Sequence, residues 1–164
     1  MRSSIRLLAA LAAAFLLAFQ AHAADRAADF TLRDINGQSV TMSSLQGKVV
    51  VVSFWATWCG PCKEEMPHLQ KLYDEKKDQG LVVLSINTDD ARSASKVKPY
   101  IKTNGYTFPV LLDRDATVIS TYNPAKTLPY TVVVDKKQEI VKVSTGFNPG
   151  DEKALAQLVD SLLK

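Results

Sequence analysis

Two seven-residue stretches, Val49–Trp55 and Leu81–Asn87, are apolar at nearly every position and hardly alternate. Strands read this way when both sheet faces are covered, so each is predicted to be a central buried strand. Weaker strand signals lie around them. Phe30–Leu32 and Ser39–Thr41 flank Asn36-Gly37, and Thr131–Val134 and Ile140–Val143 flank Asp135–Gln138, which predicts two hairpins. Between strands the pattern turns helical. One helix is expected from Cys62 to about Lys77, kinked at Pro67, which has no N–H to give. A second is expected over Ser93–Asn104, with Gly105 as its C-cap and Pro99 leaving its start open. A third begins at Asn148-Pro149, cap then first-turn proline, with Leu155, Leu158, Val159 and Leu162 on one face. Strands alternating with helices predict an α/β layer with helices on the sheet faces.

The N-terminus does not belong to that pattern. Arg2 and Arg6 make a basic start, Leu7–Phe19 is unbroken leucine, alanine and phenylalanine, and Ala21-His22-Ala23 is a small-x-small cleavage pattern. The run is 13 residues long, short of the roughly 20 that cross a bilayer. Residues 1–23 are therefore expected to be a signal peptide cut after Ala23, with an uncleaved anchor as the alternative. No cysteine near the cut could take a lipid, and Arg2 and Arg6 are not adjacent as twin-arginine export requires. Residues 24–164 are expected to form one exported, periplasmic domain, since roughly 140 residues make one ordinary core. The net charge of +3 falls close to neutral without Arg2 and Arg6, and no basic block occurs, so no nucleic-acid partner is expected.

Cys59 and Cys62 are the only cysteines, and they follow the Val49–Trp55 strand directly in Trp58-Cys59-Gly60-Pro61-Cys62. A thiol at the first turn of a helix faces unsatisfied N–H groups and the positive dipole end, which favour its thiolate. Cys59 is thus expected to be the nucleophile, partly exposed, with a pKa below the ~8.5 of a free thiol. Cys62, one turn on and buried, would resolve the mixed disulfide. Gly60 lets another backbone come close, and Pro61 presets φ without an N–H to compete for the thiolate. A structural disulfide over so short a loop would restrict the unfolded chain little. A structural zinc site lacks ligands, because His68 is the only histidine beyond the N-terminal segment.

Phe54-Trp55-Ala56-Thr57-Trp58-Cys59-Gly60-Pro61-Cys62-Lys63-Glu64-Glu65-Met66-Pro67, with Ala28-Asp29-Phe30-Thr31-Leu32 before it and Thr127-Leu128-Pro129-Tyr130-Thr131-Val132 after it, resembles the TlpA/ResA-like thiol–disulfide oxidoreductases. The resemblance implies a thioredoxin fold: a central mixed sheet flanked by helices, with an N-terminal β-hairpin extension and an insertion between the two halves. It implies a cis bond before Pro129, with the Leu128 backbone beside Cys59 offering an edge to an incoming peptide. It also implies that Glu65, on the Cys62 face of its helix, tunes the thiols and takes the Cys62 proton; the plainer reading is a solvated glutamate like Glu64. Plain thioredoxin keeps a buried acid on the preceding strand, where this chain has Ser53. Tyr130 departs from the small hydroxyl residue common after the proline. Trp58 is assigned to the client surface and Trp55 to the core, while His68 is expected on the surface.

An exposed dithiol in an oxidising compartment drifts to the disulfide unless something reduces it. The leading expectation is a monomeric disulfide reductase without cofactor or metal. It would take electrons from a membrane donor protein and pass them to disulfide-containing clients, a class that in this family includes apocytochrome c before haem attachment. Gly-Pro between the cysteines leans toward the reducing side in such relatives. An oxidase or isomerase would run the same chemistry in reverse. A copper chaperone would use Cys59 and Cys62, with His68, for Cu(I). A peroxidase would carry threonine and proline where Ala56 and Val52 stand.

Overall fold

The computed structural model describes residues 25–164; the segment expected to be a signal peptide and its expected cleavage site lie outside them. The first hairpin pairs β1 (Thr31–Arg33) with β2 (Ser39–Thr41) as a separate two-stranded unit. The main sheet contains β3 (Val49–Trp55), β4 (Leu81–Asn87), β5 (Val110–Leu112), β6 (Tyr130–Val134) and β7 (Ile140–Thr145), in the order β5-β4-β3-β6-β7. The β3–β4 and β4–β5 pairs are parallel, and the β3–β6 and β6–β7 pairs are antiparallel. The sheet is mixed, as the resemblance implied.

Every residue of β3 is buried, and its alternation divides the core in two. Val49, Val51 and Trp55 point to the face covered by α1 (Gly60–Lys76), α2 (Val97–Asn104) and α4 (Asp151–Leu163). Val50, Val52 and Phe54 point to the other, where Met42, Leu111 and Ile119 pack. This two-sided burial is the physical reason for an apolar run without alternation.

Several element boundaries differ from the sequence reading. The helix at the cysteines starts at Gly60 and runs through Pro67 as one element to Lys76. The stretch expected as one helix over Ser93–Asn104 is a 3-10 turn, Ala94–Lys96, followed by α2 from Val97. That start puts Pro99 in the first turn, the part of a helix that tolerates a missing N–H. Gly105, at φ 69°, caps α2 as expected. The last helix opens at Asp151, not at Asn148-Pro149. Gly150 is left-handed at φ 108°, and the Asn148 N–H donates to the Asp151 carboxylate at 2.9 Å. β5 and α3 (Thr117–Tyr122) fill the region between α2 and β6, where the pattern suggested no element.

Candidate active site

Cys59 and Cys62 form a disulfide at the junction of β3 and α1, with Cα atoms 5.3 Å apart. Cys59 is the N-cap of α1, and the Cys62 backbone N–H donates to its sulfur at 3.2 Å. An N–H aimed at Sγ from the positive end of a 17-residue helix is the environment that stabilises a thiolate there once the disulfide opens. Cys62 is completely buried, and Cys59 is 5% exposed. Cys59 is thus less accessible than the partly exposed thiol expected, because it belongs to the same apolar cluster as Trp55 and Ala56. Accessibility around it comes from its neighbours: Gly60 and Pro61 are exposed, a Cβ on Gly60 would meet nothing within 4 Å, and Trp58 is 70% exposed.

The turn that carries Cys59 is tied from the end of β4. Asp89, 1% exposed, accepts the Thr57 backbone N–H and hydroxyl, each at 3.0 Å, and the Asn87 amide at 2.8 Å. Asn87 accepts the Asp89 N–H in return at 3.1 Å. Neither Asp89 nor Thr57 stood out in the sequence. The available signal was position, since Asp89 follows the carboxyl end of a parallel strand, where sites of α/β sheets gather.

Glu65 is buried, not solvated like Glu64. Its carboxylate accepts the Ser53 hydroxyl from β3 at 2.9 Å and the Thr131 hydroxyl from β6 at 2.7 Å. Desolvation raises its pKa above the ordinary 4.5, against the two hydroxyls, which lower it. The strand position that lacks an acid therefore carries a hydroxyl that holds an acid supplied by the helix. Thr131 is a further site residue that the sequence reading treated only as strand.

The Leu128–Pro129 peptide bond is cis. Pro129 is buried, and Leu128 is half-buried between the two halves of the core. Tyr130 pairs with Phe54 in the β3–β6 register, and their rings lie 6.3 Å apart. Trp55 is core, as expected. His68 is exposed on α1, its ring 5.5 Å from that of Phe147. Among the described residues no three His, Cys, Asp or Glu side chains are grouped to hold a metal ion, and no helix is long and apolar enough to cross a membrane.

A thioredoxin-type sheet that presents a Cys-x-x-Cys disulfide at the head of its first long helix defines a thiol–disulfide oxidoreductase. The comparisons agree. The AhpC/TSA family model matches residues 23–143, and the chain belongs to that family. It is 38% identical over 126 residues to the thiol-disulfide oxidoreductase ResA of Halalkalibacterium halodurans, an alignment covering 77% of this chain and 70% of the relative. With ResA of Bacillus subtilis strain 168 it shares 38% identity over 120 residues, 73% of this chain and 65% of that one. The chain thus spans about two thirds of the length of these relatives. Among solved structures, StoA from Bacillus subtilis matches with a TM-score of 0.68 and 27% identity, covering 80% of this chain and 96% of StoA. The exposed lipoprotein thioredoxin Etrx1 from Streptococcus pneumoniae matches at 0.70 and 29%, covering 82% and 100%. The chain is a ResA-like thiol–disulfide oxidoreductase.

Proposed function

We propose that residues 1–23 direct export and are removed, and that residues 24–164 act as a monomeric protein disulfide reductase in the periplasm. Cys59 attacks the client disulfide and forms a mixed disulfide. Cys62 gives its proton to Glu65, attacks the Cys59 sulfur and releases the client as a dithiol. Trp58, Gly60, Pro61, Leu128 and Pro129 form the surface that receives the client backbone. A membrane dithiol protein then reduces the Cys59–Cys62 disulfide, and no metal or cofactor takes part. Apocytochrome c, with its pair of haem-attachment thiols, is a candidate client.

The observation that carries this reading is the Glu65 carboxylate, buried one turn after the fully buried Cys62. A thiol without solvent access needs a base inside the protein, and a carboxyl with a raised pKa is better matched to it than an ordinary one. Equilibration of the dithiol protein with glutathione tests the direction. A potential on the reducing side of roughly −200 mV is expected, whereas one near −120 mV would place the protein with the strong oxidants. Cys62→Ser should trap a mixed disulfide with a disulfide-bonded model protein and Cys59→Ser should not; the reverse pattern would exchange the two roles. N-terminal sequencing of the exported protein is expected to begin at Ala24.

A further inference from the structure

A proton left on Glu65 returns to Cys62 and undoes the thiolate, so the resolving step gains from an outlet, and Glu65 itself is only 5% exposed. Glu65 does, however, line one wall of a small cavity between α1, α4 and the β6–β7 side of the sheet. The cavity volume is about 40 Å³, against the ~10–15 Å³ that one water requires. Its polar lining includes Glu65, Thr131, Ser144 and His68, enough partners to hold ordered water. Leu69, Leu72 and Leu155 close the apolar side.

We propose that His68 is the proton outlet of Glu65, taking the proton through water in this cavity and releasing it to solvent. His68 lies one turn beyond Glu65 on α1, so both side chains share a helix face. It lines the cavity and is also exposed, with Phe147 beside its ring. The charged groups around the two residues are Lys71 and Glu75 on α1 and Asp151, Glu152 and Lys153 on α4; β6 and β7 contribute only the hydroxyls of Thr131 and Ser144 to the cavity. The α4 acids are already engaged. Asp151 accepts the Asn148 N–H at 2.9 Å, and Glu152 accepts the Gly150 N–H at 2.7 Å. Backbone hydrogen bonding holds the Glu152 carboxyl below its ordinary range, which makes it a weak acceptor. An imidazole can accept a proton at one nitrogen and release one from the other near neutral pH. In the resolving step the Cys62 S–H bond breaks and the proton goes to Glu65. The Cys62 thiolate forms the Cys59–Cys62 bond as the Cys59–client bond breaks, and the client sulfur leaves with the electron pair. The Glu65 proton passes out through His68 before the thiolate attacks, so back-transfer to Cys62 does not compete with resolution. His68 acts through Glu65 and touches no reacting sulfur.

This inference rests on the proposed role of Glu65, and the test separates the two. Dithiobis-nitrobenzoate reacts with the dithiol protein in two stages, one coloured thiolate leaving when Cys59 forms the mixed disulfide and a second when Cys62 resolves it. His68→Ala should leave the first phase unchanged. In dilute buffer near neutral pH it should slow the second by roughly three- to tenfold, less than the 10²–10⁴ lost with a direct acid–base group. Added imidazole should restore the rate, and in a Glu65→Gln background His68→Ala should have no further effect. An unchanged second phase in His68→Ala overturns the proposal, as does slowing that imidazole does not relieve or that persists without Glu65. If Glu65→Gln alone leaves the second phase unchanged, the Glu65 role itself falls.

Discussion

Thr131→Val removes one hydroxyl from the buried acid and leaves the shape of the β6 residue almost unchanged. That hydroxyl donates 2.7 Å to Glu65, and both residues are 5% exposed, so the valine leaves a buried carboxylate oxygen without its donor. A hydrogen bond to an ionised group contributes about 1.5–3 kcal/mol and one between neutral groups about 0.5–1.5 kcal/mol. The substitution should cost the larger amount where Glu65 is ionised and the smaller where it is protonated. Valine suits a strand and adds a methyl to the core, which offsets part of the loss equally at every pH.

The difference between those two costs, roughly 1–1.5 kcal/mol, is the part that depends on pH. Burial raises the Glu65 pKa above its ordinary 4.5. The stability associated with this group is therefore fully present below the unfolded value and is lost as pH rises through the higher folded value. Loss of the Thr131 bond raises the folded value further, so the variant loses more on the way up. Urea unfolding of the oxidised protein from about pH 4 to about pH 9 measures this directly, because the intact disulfide keeps both cysteines from titrating. Other carboxyls titrate alike in the two proteins and cancel in the difference. The gap between wild type and Thr131→Val should widen toward alkaline pH; an equal gap at every pH would refute the reasoning.

Glu65→Gln should flatten the pH dependence of stability above pH ~4.5 and shift both macroscopic pKa values of the reduced dithiol, which alkylation rates across pH would read; superimposable profiles would leave Glu65 uncoupled from the thiols. Asp89→Ala should cost about 3 kcal/mol in urea unfolding, because the Thr57 N–H, the Thr57 hydroxyl and the Asn87 amide lose their acceptor in a buried site; a cost below about 1 kcal/mol would mean the turn is held by other contacts. Lys76→Ala should change stability by less than about 1 kcal/mol despite its 2.7 Å contact with Asp160, since the aspartate is half exposed; high salt should shrink even that effect.

The parts of this fold legible in the sequence are those whose local pattern and tertiary setting agree. β3 and β4 carry apolar residues on both faces because both faces are covered, and the pattern records that directly. α3 is the opposite case. Thr117, Val118, Ile119, Thr121 and Tyr122 favour a strand locally, yet the segment is helical. The buried Asp113 carboxylate accepts the N–H groups of Val118 at 3.2 Å and Ile119 at 2.8 Å, satisfying helix-end donors that local propensity would have left in a strand. β5, three residues between Pro109 and Asp113, is too short to show a period at all.

The dithiol site divides along the same line. Cys59 and Cys62 are three positions apart in sequence, and their spacing alone places both sulfurs on one helical turn. The environment around them is assembled from positions far apart: Ser53 and Thr131 reach Glu65 across 12 and 66 residues, and Asp89 reaches Thr57 across 32. Burial raises the Glu65 pKa most, the Asp151 charge adds to it, and hydroxyls from β3 and β6 oppose it, so the balance is set by how α1 packs on the sheet and against α4. The Ser53–Glu65 pairing shows why residue type at a strand position is a poor guide to whether an acid is present. The strand supplies the donor, the helix supplies the carboxyl, and the sheet face between them supplies the low dielectric that raises the carboxyl's pKa.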